Sequence, residues 1–432
     1  MMKSDTIPNK SRLIQELDRK YIWHPLTQHK HSQSPIPIQK AAGALLIAED
    51  GKEYIDGIAS WYTSLFGHCH PYLIEQVTAQ MNQLDQVVFT GFTHEAATTL
   101  AEKLFTILPK NQAKMFFNDN GSTAVEAAIK MALQYHHNRG EKRDTLIAFE
   151  HGFHGDTFGA MSVSGLSAYN GPFDDFFLKT ERIPTPAEHQ TAAIMERLEQ
   201  IVQDHACAAF VYEPLVQGAA GMKMYDAEGL EQILAFCKKH GILTIADEVM
   251  TGFGKTGTPF ASLQLRQLPD MMCLSKALTA GLLPMSLTTC SQAVFDAFLD
   301  DEVAKGFFHA HTYSANPLAC AAASASIDLL LSEEMEENAR RIEASHLAFA
   351  QSLRANKKAT QVRVKGLILA LELDTPMERY GNLRQHLYDF FMERGVCLRP
   401  LGNTIYVLPP LVTTDDQLQH IYRTIEEALA AF

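Results

Sequence analysis

A lysine and an aspartate at the ends of two apolar runs are the residues of this chain best placed for chemistry. Asp247 closes the run 242–246, and Lys276 follows the run 271–274 after one serine. Short apolar runs of this kind are typical of strands buried in a parallel sheet. Ligands of such sheets bind beyond the carboxyl ends of the strands. The sequence therefore predicts that this acid and this amine reach the same sheet edge.

An acid and an amine at one sheet edge can hold a compact, electron-poor cofactor between them. Pyridoxal phosphate fits, because its aldehyde takes a lysine as a Schiff base and its ring nitrogen takes an acidic partner. Burial would lower the pKa of Lys276 from its usual value of about 10.4, and the neutral amine is the form that attacks an aldehyde. The alternative is a surface lysine, which the end of an apolar strand makes less favoured.

A turn that leads into a strong helix-forming sequence offers a place for a phosphate group. Residues 118–123 contain Gly121 and the hydroxyls of Ser122 and Thr123, and alanine-rich sequence follows. The N-terminus of a helix attracts phosphate through its free N–H groups and its dipole. An ordinary capped helix is the alternative, and this motif taken alone favours it.

A nucleotide hydrolase is a weak alternative for the whole chain. In that class an apolar strand also ends in two acids, as this one does at Asp247 and Glu248, and residues 252–256 look like a phosphate loop. The phosphate-loop pattern G-x-x-x-x-G-K-[ST] requires a glycine five residues before Gly254, and this chain has Val249 there. The spacing therefore argues against ATP or GTP.

Two histidine pairs, His151 with His154 and His68 with His70, raise the question of a metal site. Neither has convincing further ligands nearby, and the pattern H-E-x-x-H is absent. We predict no metal. We interpret the first pair as a loop that places a flat aromatic ring near a ligand, and the second as a turn before Pro71.

Trp61 and Arg399 each have two interpretations. A tryptophan is most often a core residue, but an aromatic in a polar, glycine-flanked stretch can also line a pocket. An arginine is usually a surface cation, but it can also bind a carboxylate with two hydrogen bonds. These patterns alone leave both alternatives open.

The composition limits the class of protein. The 432 residues correspond to two or three domains at roughly 150 residues each, and the net charge of −13 argues against nucleic acid. Seven scattered cysteines without a C-x-x-C pair suit a reducing cytosol. No apolar signal sequence or membrane-spanning run is visible. We expect a cytoplasmic protein without a membrane partner.

Strand-like and helix-like stretches alternate from about residue 65 to 330, which predicts an α/β unit with a mostly parallel sheet. The strand-like stretches are 113–117, 145–149, 207–213, 242–247, 271–275 and 285–290. The helix-like stretches include 95–107, 122–139, 228–240 and 316–331.

The flanking sequence predicts a second, smaller α+β domain. After residue 332 there are charged amphipathic helices, and residues 1–45 are polar, broken by prolines and expected to wrap a body. The helices are predicted at 333–355, 380–395 and 415–431, around strand-like 361–373 and 404–408. We assign 1–64 as an N-terminal segment contributing to the small domain, 65–330 as the large cofactor-binding domain, and 331–432 as the C-terminal small domain.

Together these motifs resemble the class III, fold-type-I pyridoxal-phosphate aminotransferases from about Tyr21 to Thr413. The resemblance implies that fold and transamination between an amino donor and a keto acid. The Trp23-His24-Pro25 start and Trp61 favour one branch of the family over its other ω-aminotransferases. The strongest elements are Asn120-Gly121-Ser122, His151 to Gly155, Glu213 to Gly218, Ala246 to Gly254, and Leu274 to Leu278.

The resemblance also implies roles for single residues at the cofactor. Lys276 carries the cofactor aldehyde and moves protons, and Asp247 keeps the ring nitrogen protonated. Gly121 and Ser122 bind the phosphate, and Phe153 stacks on the ring.

The resemblance also implies a homodimer with active sites at its interface. It implies further roles for residues that contact the partner's cofactor or the substrate. His311 and Thr312 add a phosphate contact from the other subunit. Trp61 and Ala310 line the substrate pocket, and Arg399 receives the substrate carboxylate. Lys276 and Phe153 also face the substrate.

The chain departs from the family at three positions. Leu26, in the substrate pocket, and Phe153 both stand where tyrosine is common, and Lys255 stands where arginine is common. A phenylalanine at 153 still stacks but lacks the phenol hydrogen bond. Leu26 removes a polar aromatic near the keto substrate, so these departures concern the substrate and the donor rather than the cofactor.

Overall fold

A central seven-stranded sheet organises the molecule. The computed structural model describes residues 7–165, 170–187, 190–376 and 381–432. The strands are β1 Ile38–Ala42, β2 Leu45–Ala48, β3 Glu53–Asp56, β4 Gln112–Asn118, β5 Thr145–Phe149, β6 Thr180–Ile183, β7 Cys207–Tyr212, β8 Val216–Gln217, β9 Lys223–Met224, β10 Leu243–Asp247, β11 Met271–Leu274, β12 Ser286–Ser291, β13 Ala359–Lys365, β14 Ile368–Leu373, β15 Val396–Cys397 and β16 Thr404–Val407.

Helices cover this sheet and join the strands. They are α1 Ile7–Tyr21, α2 Ala59–Tyr62, α3 Pro71–Gln83, α4 Glu95–Ile107, α5 Gly121–Asn138, α6 Phe158–Val163, α7 Thr191–Asp204, α8 Ala227–Lys239, α9 Gln292–Asp296, α10 Pro317–Leu330, α11 Glu333–Ser352, α12 Asn382–Glu393 and α13 Asp415–Ala431. Short 3₁₀ turns include Lys276–Thr279. Within the described part of the chain, no helix is long and apolar enough to cross a membrane.

The order of the central sheet is β4-β12-β11-β10-β7-β5-β6. All neighbours pair in parallel except β12, which runs antiparallel to both β11 and β4. The predicted α/β fold with a mostly parallel sheet is confirmed, and the six strand-like stretches predicted for it lie on β4, β5, β7, β10, β11 and β12. The antiparallel direction of β12 was not predicted.

Successive residues of the central strands belong to two different cores. Ile245 and Met271 pack in one hydrophobic cluster, which includes the alanines of α5, whereas Ala246 and Met272 pack in the other. Since side chains of a strand alternate between faces, both faces of the sheet are covered. This burial explains why the sequence shows unbroken apolar runs. Because β10 and β11 are parallel neighbours, the polar residues at their ends lie at one sheet edge.

The N-terminal and C-terminal parts of the chain meet in a second sheet of order β1-β2-β3-β15. There Asp56, the last residue of β3, pairs in parallel register with Cys397 of β15. A third sheet has the order β13-β14-β16. The predicted strand 361–373 is two antiparallel strands, which turn at Gly366 with φ +57°. The helix α1 was not predicted, and the domain boundaries stay a prediction.

Candidate active site

A buried Asp–His pair lies at the end of β10. Asp247 accepts a hydrogen bond from Nδ1 of His154 at 2.7 Å, and its other oxygen accepts the N–H of Val249 at 3.0 Å. The His154 side chain is fully buried. Burial alone would lower the pKa of the imidazole, but the hydrogen bond and charge of Asp247, with the charge of Glu213, raise the pKa overall. The raised pKa favours the protonated imidazole, whose Nδ1–H donates to Asp247 and holds the carboxylate in one orientation.

Glu213 follows β7 and lies in the same buried cluster. Its two oxygens accept the N–H groups of Phe153 and Gly218, at 3.1 and 2.9 Å. Burial raises the pKa of Glu213 to about 7, the charge of His154 opposes that rise, and the charge of Asp247 adds to it. Glu213 therefore fixes the backbone of the loop that carries Phe153 and His154.

Lys276 begins the turn after β11, with φ +53°. Its amine lies 5.1 Å from the ring centre of Tyr62, and no described residue accepts a hydrogen bond from it. Burial lowers the pKa of Lys276, while the charges of Asp247 and Glu213 act in the opposite direction. A lysine with a lowered pKa is more often the neutral amine, which is the nucleophilic form.

A second buried amine belongs to Lys255. The side chain is fully buried, and Nζ has no hydrogen-bond partner among the described residues. Burial lowers the pKa of Lys255 to about 7, the charge of Lys276 lowers it further, and Glu248 opposes both. The two amines are thus close enough to affect each other, and burial lowers the pKa of both.

The turn before α5 has the features of an anion site. Asn120 caps the helix through the N–H of Thr123, and the N–H groups of the first helical residues, Gly121 and Ser122, have no intrahelical acceptor. A Cβ on Gly121 would lie 2.9 Å from the Val249 side chain, and one on Gly155 would overlap the Ser122 hydroxyl. The turn is therefore pressed close against the segment that follows Asp247.

The element α2 is a left-handed turn rather than a right-handed helix, and it presents the side chains of Trp61 and Tyr62. Ala59, Ser60, Trp61 and Tyr62 all have positive φ, from 45° to 72°. For residues other than glycine this conformation costs roughly 1–2 kcal/mol each. The Trp61 ring centre lies 5.5 Å from Cζ of Arg399. The structure thus brings Trp61 and Arg399 together.

Arg399 and Phe153 are open to solvent. Arg399 is exposed, and no described carboxylate lies within ion-pair distance of it. Phe153 is 44% exposed. Leu26, with φ +52°, is 67% exposed. A guanidinium beside an aromatic ring, without a carboxylate of its own, is available to a carboxylate ligand.

His311 and Thr312 were predicted to contact the phosphate in the other subunit. In their own chain they belong to a loop that lies near residues 118–123, the turn before α5. Nδ1 of His311 lies 3.2 Å from Oδ2 of Asp119, while Ala310 and Thr312 are exposed. No described hydrogen bond joins Thr312 to Gly121 or Ser122. The contribution of Thr312 to a second subunit stays a prediction.

These groups match pyridoxal phosphate at its ring nitrogen, its aldehyde and its phosphate. The buried, oriented carboxylate of Asp247 suits the ring nitrogen, and the amine of Lys276, which has no protein acceptor, suits the aldehyde. The N-terminus of α5 suits the phosphate. Nε2 of His154 is buried without a hydrogen-bond partner among the described residues, so Nδ1, which faces Asp247, makes the one described bond of the ring.

Two participants were missed in the sequence. His154 was given no role of its own, either as half of a possible metal pair or as part of the loop that carries Phe153, but its ring binds Asp247. No group of three metal-ligating side chains occurs among the described residues. Glu213 was quoted as part of a motif without a role. The one signal available for both was their position in motifs already singled out, because 93 residues separate His154 from Asp247.

Comparisons with known proteins agree with this geometry. Residues 26–429 match the family described as aminotransferase class-III. The chain is 42% identical over 418 residues to the adenosylmethionine-8-amino-7-oxononanoate aminotransferase of Synechococcus elongatus, covering 95% of this chain and 98% of that protein.

Solved structures give the same result. The crystal structure of adenosylmethionine-8-amino-7-oxononanoate aminotransferase from Methanocaldococcus jannaschii has a TM-score of 0.92 and 31% identity, covering 97% of this chain and 99% of that one. An amine transaminase from an uncultivated Pseudomonas species, in its PLP-bound form, has a TM-score of 0.88 and 31% identity, covering 95% and 98%.

Proposed function

The chain belongs to the class-III aminotransferases and depends on pyridoxal phosphate, and from that premise we propose its substrates. It transfers an amino group to 8-amino-7-oxononanoate, giving 7,8-diaminononanoate for biotin biosynthesis, with S-adenosylmethionine as the amino donor. The names of the relatives support this reaction. The observation in this chain that carries it is the exposed Arg399 guanidinium beside Trp61, which suits a substrate with an apolar chain and a carboxylate.

Pyridoxal phosphate, when bound, supplies an aldehyde that exchanges amines and a ring that draws off the charge left when a C–H bond is broken. Asp247 holds a proton at the ring nitrogen, and His154 keeps the carboxylate oriented for that task. Lys276, as the neutral amine, would take the proton from the α-carbon of the donor. It would then deliver that proton to the cofactor carbon that carried the aldehyde. Gly121 and Ser122 bind the phosphate with their N–H groups.

The overall exchange balances without an oxidant. The donor amine becomes a carbonyl, and the ketone at carbon 7 of the acceptor becomes an amine. Arg399 holds the acceptor carboxylate, so that the ketone, several methylenes away, reaches Lys276. Trp61 covers the apolar chain between the two ends.

The test offers candidate donors one at a time to the purified yellow enzyme. S-adenosylmethionine, lysine and a simple amine are mixed with the holoenzyme, and the visible absorbance of the cofactor is followed. We expect loss of the absorbance with S-adenosylmethionine and its return on adding 8-amino-7-oxononanoate. A spectrum that responds to simple amines, but does not return with that keto acid, would contradict the proposal.

The second candidate is an amine transaminase of another pathway. The similarity to the Pseudomonas amine transaminase favours it, since all cofactor-contacting residues would be the same. The same titration separates the two, because an amine transaminase would accept small ketones in the second step and would not require a carboxylate on the acceptor.

We also propose a cytoplasmic homodimer with active sites at the subunit interface. All seven cysteines are unpaired, and five of them are buried, which suits a reducing compartment. Phe308 and Tyr313 flank the loop that carries Thr312, and they are 73% and 63% exposed; exposed apolar residues of this kind suit a protein interface. Analytical ultracentrifugation should give twice the chain mass of 48.1 kDa, and a monomer with full activity would exclude this arrangement.

A further inference from the structure

The segment that presents Trp61 and Tyr62 is one turn of left-handed helix. The φ angles of residues 59 to 62 are 46°, 45°, 69° and 72°. The N–H of Tyr62 bonds to the carbonyl of Ile58, and the N–H of Thr63 to that of Ala59, both at 2.9 Å. None of these residues is a glycine, so the local sequence does not favour the conformation. Contacts from elsewhere must hold it.

Asp56 supplies those contacts from the end of β3. Its Oδ2 accepts the hydroxyl of Ser60 and Nε2 of His68, each at 2.8 Å, and its Oδ1 accepts the N–H of Ile58 at 3.2 Å. The Asp56 side chain is 1% exposed. One carboxylate thus binds the start of the turn at two points.

His68 is itself held from behind. Its backbone exchanges two hydrogen bonds with Gly43, at 2.8 and 3.1 Å. The ring, 13% exposed, reaches back to Asp56. Asp56, Ser60 and His68, here called the turn clamp, therefore connect the left-handed turn to the second sheet.

The turn directs its two aromatic residues to different parts of the site. Trp61 is 44% exposed and lies beside Arg399, whereas Tyr62 is buried and lies below the amine of Lys276. Successive residues of a helical turn point about 100° apart. An extended segment would separate them by about 180°, so loss of the turn would move at least one ring from its place.

We propose that Asp56, acting with Ser60 and His68, is a positioning residue for the substrate pocket. It touches neither substrate nor cofactor. It holds the left-handed turn that places Trp61 beside Arg399, and it thereby sets the affinity for the carboxylate substrate. This inference rests on the proposed function only for the identity of that substrate.

The two tryptophans of the chain make the position of Trp61 measurable. Trp23 is 88% exposed, so Trp23→Phe leaves Trp61 as the single tryptophan. In the holoenzyme with that background, Asp56→Asn should increase acrylamide quenching of Trp61 fluorescence. It should also raise the KM for the carboxylate substrate about tenfold, the loss expected for a charge-assisted hydrogen bond, with kcat lowered less than about threefold.

The matched control removes another carboxylate that binds a histidine. Glu141 accepts from Nδ1 of His136 at 3.1 Å, at the far end of α5 from the phosphate turn. Glu141→Gln should leave the quenching and KM unchanged. Ser60→Ala, a milder change than Asp56→Asn, should move both in the same direction by less, and it serves if Asp56→Asn does not fold.

Two results would overturn the inference. One is a lower melting temperature in Asp56→Asn and Ser60→Ala with unchanged quenching and KM, which would make the clamp merely structural. The other is a fall in kcat at constant KM. Quenching needs no turnover, so increased quenching in an enzyme that rejects 8-amino-7-oxononanoate would contradict the proposed function and leave the positioning role standing.

Discussion

Two sides of the active site differ in how they are built. The strand-end group (Asp247, His154, Glu213 and Lys276) lies within or just after the central strands and is largely buried. The outer group (Trp61, Phe153 and Arg399) lies on loops and turns and is open to solvent. In the first group, burial and neighbouring charges shift the pKa values of His154, Glu213 and Lys276. In the second group, the aromatic rings shape the site and Arg399 is its exposed cation. We therefore propose that cofactor chemistry and substrate choice depend on different parts of the fold.

The largest effect should come from Lys276→Ala, in the strand-end group. It removes the amine that moves the proton, and a well-placed general acid–base contributes about 10²–10⁴ in rate. We expect kcat to fall by at least that factor while the protein still binds the cofactor without a covalent bond. Stopped assays measure kcat, and borohydride reduction shows whether the cofactor is bound covalently. The exposed Lys110 gives the control Lys110→Ala, and near-normal turnover of Lys276→Ala would end the assignment.

Asp247→Asn should come next. The amide keeps the size of the side chain but cannot hold a proton at the ring nitrogen by charge, and loss of one preorganised electrostatic group costs roughly 10²–10³ in kcat. KM should change little, because the Asp247 side chain is buried and paired with His154. Steady-state kinetics with both substrates measures this difference. An effect on KM alone would mean that the two sides are not separate.

In the outer group, Arg399→Ala should act mainly on affinity. Loss of a hydrogen-bonded charge pair should raise the KM for the carboxylate substrate by about 10–100-fold, with kcat nearly unchanged. Arg394, which pairs with Glu427 at 2.9 Å in the same part of the chain, gives the control Arg394→Ala, for which KM should stay the same. An unchanged KM in Arg399→Ala would make Arg399 an ordinary surface residue.

The smallest effect concerns the pH dependence of stability in Glu213→Gln. The pKa of Glu213 is raised from 4.5 to about 7 by burial, so its contribution to stability is present below pH 4.5 and is lost as the pH rises through 7. The variant lacks this titration. Between pH 5 and 8 the unfolding free energy of the wild type should therefore fall by about 2–3 kcal/mol relative to the variant. Denaturant titrations measure this, and a difference that is constant with pH would contradict the raised pKa.

The two sides also differ in how far the sequence predicts them. Asp247 and Lys276 were found from apolar runs, because burial on both faces of a strand leaves an unbroken apolar stretch in the sequence. Gly121 and Ser122 were found from turn and helix chemistry that is local to six residues. His154 and Glu213 had no such signature, because His154 bonds to Asp247 on β10 and Glu213 bonds to backbone N–H groups of two loops.

Trp61 shows the limit most clearly. The sequence offered a core residue or a pocket wall, and nothing in residues 59–62 indicates a left-handed turn, since none of them is glycine. The turn exists because Asp56 and His68, on other segments, bind it. A backbone conformation that is unfavourable locally can be predicted only from the contacts that compensate for it.

The sequence by itself therefore determined the α/β class, six of the seven strands of the central sheet and the acid and amine at its edge. It did so because apolar periodicity and helix capping are properties of neighbouring residues. Only the tertiary structure decided that His154 binds Asp247, that β12 runs antiparallel, and that a clamped left-handed turn sets Trp61 beside Arg399. These features depend on residues far apart in the chain, whose proximity is a property of the folded packing.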